Sequence, residues 1–155
     1  MIYIGIDPGK KGAIAVLDDD GLLWRLIDMP ENIGTDLYKF LKESIELSVY
    51  KKAVAFVEAS QVMPGQGIKS GFTYGKGYGE IIAVLKILEI PFQEIHPLTW
   101  KKEFKLIKKD KAESIKVAEQ MYPSVTIPFK TERGKLLDGR AEALLIAEYC
   151  RRKCK

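Results

Sequence analysis

The chain opens with a near-continuous apolar run, Met1-Ile2-Tyr3-Ile4-Gly5-Ile6, which ends on one acid, Asp7, and breaks at Pro8-Gly9. Such a run fits a buried strand, and the proline-glycine pair stops it directly after the carboxylate, leaving that group rigidly held at the strand end. Ala13-Ile14-Ala15-Val16-Leu17 reads as a second strand, Asp18-Asp19-Asp20-Gly21 as a turn, and Leu22 to Met29 as a third strand. Short strands joined by tight turns predict an antiparallel meander, with the three aspartates at a hairpin tip rather than around a metal. From about Thr35 the spacing turns helical, with Leu37, Phe40, Leu41, Ile45 and Leu47 to Val49 as the apolar face and Thr35 or Asp36 as the cap. Ala53-Val54-Ala55-Phe56-Val57 then repeats the device of the first strand and ends on Glu58. A strand apolar on both faces belongs in the middle of a sheet covered by helices.

Further along, Ala59 to Phe72 has the composition of a flexible loop, and Tyr74 to Glu89 that of a helix with Gly75, Gly77 and Gly79 in its opening turns. Helical glycine costs about 1 kcal/mol relative to alanine, so three of them predict a close backbone approach, to another helix or to a phosphate. Gly67-Ile68-Lys69-Ser70 lacks the glycine before the lysine that a nucleotide-binding P-loop needs, and no strand ends just upstream of it. Phe92 to His96 is a short strand closed by Pro97, and Leu98 to Phe104 a brief helical turn. A helix follows from about Asp110 to Met121 with Ile115, Val117 and Ala118 inward, then an irregular polar stretch from Pro123 to Gly134. The last helix begins near Leu137 and runs through Tyr149.

A length of 155 residues with 46% hydrophobic and 30% charged content predicts one α/β domain over residues 1–155, able to bury a core without staples. No apolar run is long enough to cross a bilayer, and the first residues enter a strand at once, so neither a membrane span nor a signal peptide is expected and the location expected is cytoplasmic. Cys150 and Cys154, one helical turn apart with no histidine nearby, are expected to be free thiols, since a zinc site needs about four ligands. The single histidine, His96, cannot anchor a histidine cluster.

The formal net charge of +4 is unevenly spread. Lys101, Lys102, Lys105, Lys108, Lys109, Lys111 and Lys116 are opposed over the same stretch only by Glu103, Asp110 and Glu113, an excess equal to that of the whole chain. Concentrated basic charge of this kind is the footprint of a phosphate-contacting surface, although a solvated helix face gives the same pattern.

Asp138 and Glu142 stand four apart on the last helix and project from one face, where like charges repel unless a cation lies between them. Capping of the helix by Asp138, or its pairing with Arg140, is the structural alternative. Two acids on strand ends and two on a terminal helix form the all-oxygen donor set that Mg2+ or Mn2+ prefers. Two such ions about 3.5–4 Å apart can activate water and stabilise the leaving oxygen in phosphodiester hydrolysis, with no histidine base.

Ile4-Gly5-Ile6-Asp7-Pro8-Gly9, Phe56-Val57-Glu58, Tyr74-Gly75-Lys76-Gly77-Tyr78-Gly79, Pro97 with Trp100-Lys101-Lys102, and Ala141-Glu142-Ala143-Leu144-Leu145-Ile146-Ala147 together resemble, in order and approximate spacing, the RuvC family of Holliday-junction resolvases. The resemblance covers nearly the whole chain. It implies an RNase H-like fold with a mixed five-stranded sheet flanked by helices, and a homodimer that brings two metal-dependent sites to one four-way DNA junction. By position Asp7 and Glu58 match the first two family acids, Glu142 the last, where aspartate is commoner, and Asp138 the remaining one. The family pair often stands three apart rather than four. Family lysines meet the scissile phosphate region, and Lys101 or Lys102, Lys108, Lys109 and Lys111 fall in the corresponding stretch. Where relatives engage bases through an aromatic after the second acid, this chain has Gln61, Val62 and Met63, with Phe72 and Tyr74 later and expected to be packing residues. An RNase H-like nuclease acting on RNA-containing or flap substrates and a junction-binding scaffold without catalysis remain alternatives. An actin-like ATPase is disfavoured, because a second phosphate-binding segment is missing.

Overall fold

The computed structural model describes residues 1–59, 67–125 and 129–155. Its strands are β1 (Ile2–Asp7), β2 (Ala13–Leu17), β3 (Leu23–Asp28), β4 (Ala53–Glu58) and β5 (Phe92–Ile95); its helices are α1 (Tyr38–Leu47), α2 (Ile68–Ile87), α3 (Pro97–Glu103), α4 (Lys111–Met121) and α5 (Asp138–Cys154). The strands form one mixed sheet in the order β3-β2-β1-β4-β5. β1, β2 and β3 are the expected antiparallel meander, and β4 and β5 run parallel beyond β1. At the β2–β3 turn Asp18 Oδ1 accepts the backbone N–H of Leu22 at 2.8 Å and Gly21 takes φ +85°, so the aspartates do form a turn.

Strand alternation divides the interior into two layers. Ile2, Ile4 and Ile6 of β1, Ile14 and Val16 of β2, and Ala55 and Val57 of β4 pack with Leu37, Phe40 and Leu41 and with Ile81, Val84 and Leu85 of α2. On the opposite face Tyr3, Ala13, Ala15, Leu17 and Phe56 pack with Trp100 of α3, Ile115 and Ala118 of α4, and the buried side of α5. The sheet is therefore covered by helices on both sides, as the apolar runs of β1 and β4 require.

Several boundaries differ from the sequence expectation. α1 is entered through a π-helical turn, Ile33–Leu37, with no side-chain cap from Thr35 or Asp36. Leu47 and Val49 are exposed: α1 ends at Leu47, and Val49 lies in the turn beyond it. α2 begins at Ile68, so residues 68–72 are helical where the sequence predicts a loop; its first turns face outward and leave no apolar period to read. Gln61, Val62 and Met63 lie outside the described residues. Of Gly75, Gly77 and Gly79, only Gly77 is close to a neighbour, Ile33, while a Cβ at Gly75 or Gly79 would meet nothing within 4 Å. Phe72 is 76% exposed rather than packed, whereas Tyr74 stacks on Tyr78 with ring centroids 6.3 Å apart. α5 runs on to Cys154, and both cysteines are free thiols.

β1 and α5 pack backbone against backbone. A Cβ at Gly5 would fall 2.2 Å from the carbonyl oxygen of Ala143 and 2.2 Å from the amide nitrogen of Ala147. Backbone meets backbone there, so Gly5→Ala must push helix and strand apart. Overpacking typically costs about 1–3 kcal/mol, and this variant is expected to reach the upper part of that range in urea unfolding. A stability equal to wild type would show that the contact is not made.

Candidate active site

The alternation that sorts the core also aims the acids. Asp7 follows Tyr3 and Gly5 on the α5 side of β1, and Glu58 follows Phe56 on the same side of β4. β1 and β4 are parallel neighbours with Ile6 opposite Val57, so the next residues, Asp7 and Glu58, end adjacent strands side by side. α5 begins over this end of the sheet. A Cβ on Gly139 would lie 2.1 Å from the carbonyl oxygen of Lys11, so the first turn of α5, with Asp138, is pressed against the β1–β2 turn. Glu142 is one helical turn further on.

The four carboxylates share one field. Burial, then Glu142, Glu58 and Asp138, push the Asp7 carboxyl well above the usual carboxylate range, and Lys101 opposes them. Burial also raises Glu58; the Trp100 hydrogen bond opposes this, Glu142 adds to it, and Lys101 and His96 reduce it. The indole Nε1–H of the fully buried Trp100 donates to Glu58 Oε2 at 2.7 Å. Glu142 Oε1 receives the Lys101 ammonium at 3.2 Å and the Ser114 hydroxyl at 3.4 Å. Asp138 Oδ2 is paired with Lys111. Asp138 neither caps α5 nor pairs with Arg140, whose guanidinium instead grips both oxygens of Asp28 at 2.6 and 2.7 Å.

Asp7 thus feels the charge of Glu58, Asp138 and Glu142. Among the described residues, no group of three acids, histidines or cysteines stands closely enough to hold a metal ion as arranged, and Lys101 and Lys111 supply the nearby positive charge. The donor chemistry is nevertheless that of a hard divalent cation: four carboxylates, with the charge on Asp7 resisted by the other three. Lys102, Lys108 and Lys109 are exposed on α3 and the link to α4, between the two lysines that touch the acids.

The sheet order and flanking helices are those of the RNase H-like fold. Within that class, the chain aligns with a Thermus thermophilus RuvC structure at a TM-score of 0.62 and 16% identity, over 99% of this chain and 97% of that one. It aligns with T. thermophilus RuvC in complex with Holliday junction substrate at a TM-score of 0.61 and 13% identity, over 95% and 90% of the two chains. At these identities the likeness is one of fold. No family model and no curated protein sequence matches the chain.

Sequence reasoning missed the partners of the acids. Trp100 lies in one of the motifs above, yet nothing local in the chain pairs it with Glu58; the usable signal is that a buried indole needs an acceptor. Ser114 gave no signal, because a serine on a surface helix is unremarkable until α4 is packed on α5.

A folded-state pKa raised above the unfolded one means that ionising Asp7 destabilises the fold. That cost is absent below the unfolded value of about 3.9 and grows as pH rises through the folded one. In EDTA at neutral pH, Asp7→Asn is therefore expected to raise Tm by roughly 2–4 °C, the effect of about 1 kcal/mol in a domain of this size. The gain should vanish towards pH 4. A lower Tm at neutral pH would contradict the electrostatic account.

Proposed function

We propose that the chain is a metal-dependent endodeoxyribonuclease that resolves four-way or related branched DNA by paired phosphodiester hydrolysis. The observation that carries this reading is the charge of Glu58, Asp138 and Glu142 acting on Asp7, from two strand ends and one helix, in a fold shared with a RuvC structure bound to a Holliday junction. Those four acids would hold Mg2+ or Mn2+, most economically as two ions. When bound, such ions supply an activated water and stabilise the leaving oxygen.

The remaining work falls to the protein. Trp100 holds one oxygen of Glu58 so that the other is presented in a fixed direction. Burial at the sheet end keeps Asp7 rigid and poorly solvated, which strengthens its attraction for a cation. Lys102, Lys108 and Lys109 would bind backbone phosphates beside the acids and orient the strand, with Lys101 and Lys111 at the acids themselves. Junction affinity should accordingly fall as salt rises, through counterion release.

Wild-type protein with a synthetic four-way junction and Mg2+ or Mn2+ is expected to give paired nicks, while Glu58→Gln still binds the junction in gel-shift assays but does not cut. Absence of nicking with either ion would refute the activity. A panel containing flap and RNA–DNA duplex substrates would expose a different nucleic-acid preference.

Paired cleavage needs two sites, and we infer a homodimer formed through the outward face of α2. Ile68 and Phe72 are 92% and 76% exposed, and Gly75 and Gly79, on the same helical face, leave room for a second backbone. Burying such residues against a second copy would remove an exposed apolar stripe. Light scattering should report a dimer for wild type and a monomer for Phe72→Glu. A dimer that persists in the variant would place the interface elsewhere.

A further inference from the structure

The two acids of α5 do not wait for a cation alone. Lys101 reaches Glu142 from α3, and Lys111 reaches Asp138 from the start of α4. Neither lysine shares an element with any of the four acids, so tertiary packing has assigned a separate ammonium to each helix acid. The strand acids are treated differently: Glu58 receives a neutral indole N–H. Two positive charges set among four carboxylates leave the cluster short of cation.

Both lysines are built to leave. Lys101 keeps 27% of its side chain exposed and Lys111 71%, so each ammonium can swing towards solvent on a flexible four-carbon stem. Lys101 also has somewhere to go, since its Nζ already lies 5.1 Å from the centre of the Trp100 ring, within cation–π range. Glu142 would keep its Ser114 contact after the lysine departs.

We propose that Lys101 and Lys111 are internal counter-ions of the metal-free acid cluster, that a divalent ion enters by displacing them from Glu142 and Asp138, and that the displaced ammonium groups then meet substrate phosphate. The proposal rests on the metal-site reading above. It makes ion loading and strand capture mutually supporting: an ion that claims the carboxylates releases the lysines, and a phosphate that draws the lysines away opens the carboxylates to the ion. The same two side chains therefore oppose metal binding without DNA and favour it with DNA.

The test is Mn2+ binding without DNA, read by calorimetry and by the electron paramagnetic resonance of free Mn2+, for wild type, Lys101→Met, Lys111→Met and the double variant. Lys116→Met, which removes an exposed pair with Glu113, is the control. Removing a competing ammonium should tighten Mn2+ binding about fivefold or more per lysine, the factor expected when a pair worth roughly 1 kcal/mol no longer has to be broken. The control should bind as wild type does. Lys111 is mostly exposed, so its variant keeps the test decisive if Lys101→Met folds poorly. Mn2+ binding by the double variant alone also supports the exchange. Equal or weaker binding in the lysine variants overturns the exchange and leaves the nuclease reading standing. No binding by any form overturns the exchange together with the metal site. Tightened Mn2+ binding in the variants, together with no junction cleavage by the wild type, upholds the exchange and sinks the nuclease reading.

Discussion

The contact between Gly5 and the backbone of α5 at Ala143 and Ala147 is the constraint on which the site depends. A helix normally stands off a sheet by the length of the side chains between them, and here those side chains are missing. α5 therefore lies directly on β1, and acids on the two elements share one small volume. Gly139 repeats the device at the start of the helix, where the backbone of Lys11 leaves no space for a Cβ. The small residues of β1 and α5 thus act on Asp7, Asp138 and Glu142 through distance alone.

Two kinds of buried carboxylate can be compared within the molecule. Glu148, on the same helix, is only 3% exposed, yet it accepts hydrogen bonds from Arg151, Arg152 and Tyr122. Burial pushes its pKa up, but the arginine bonds and charges outweigh burial, and the carboxyl is held below its usual range. It fastens α5 to α4, and Arg152 carries the network on to Glu103 of α3. Asp7 and Glu58 have no such matching set of cations and are raised. A fully paired acid holds the fold together; an underpaired one is stored attraction for a cation, kept at a cost in stability because the surrounding structure over-determines its position.

The segment from α3 to the start of α4 links these features. Trp100 of α3 is in the core and fixes Glu58, its neighbour Lys101 reaches Glu142, and Lys111 opens α4 against Asp138. Between them lie Lys105 and Lys108, both with positive φ, at 57° and 58°. These tight reversals keep the link short and leave Lys102, Lys108 and Lys109 exposed next to the acids. One stretch therefore anchors in the core and presents positive charge at the site.

Much of this was legible in the chain itself. The apolar runs that stop at Asp7 and Glu58 determine two buried strands, and alternation along each puts both acids on the face that bears Tyr3 and Phe56, because neighbouring side chains on a strand point to opposite sides. The spacing of Asp138 and Glu142 determines that they share a helical face. Other features had no local signature. The first turns of α2, with exposed Phe72 and the open Gly75 and Gly79, carry no apolar period. Which lysine meets which acid, and that Trp100 holds Glu58, depend on where α3 and α4 dock, and docking is fixed by the whole core rather than by any window of sequence. The chain by itself determined which carboxylates are held rigid; only the tertiary structure decided what stands opposite each of them, because those partners come from elements far away in sequence.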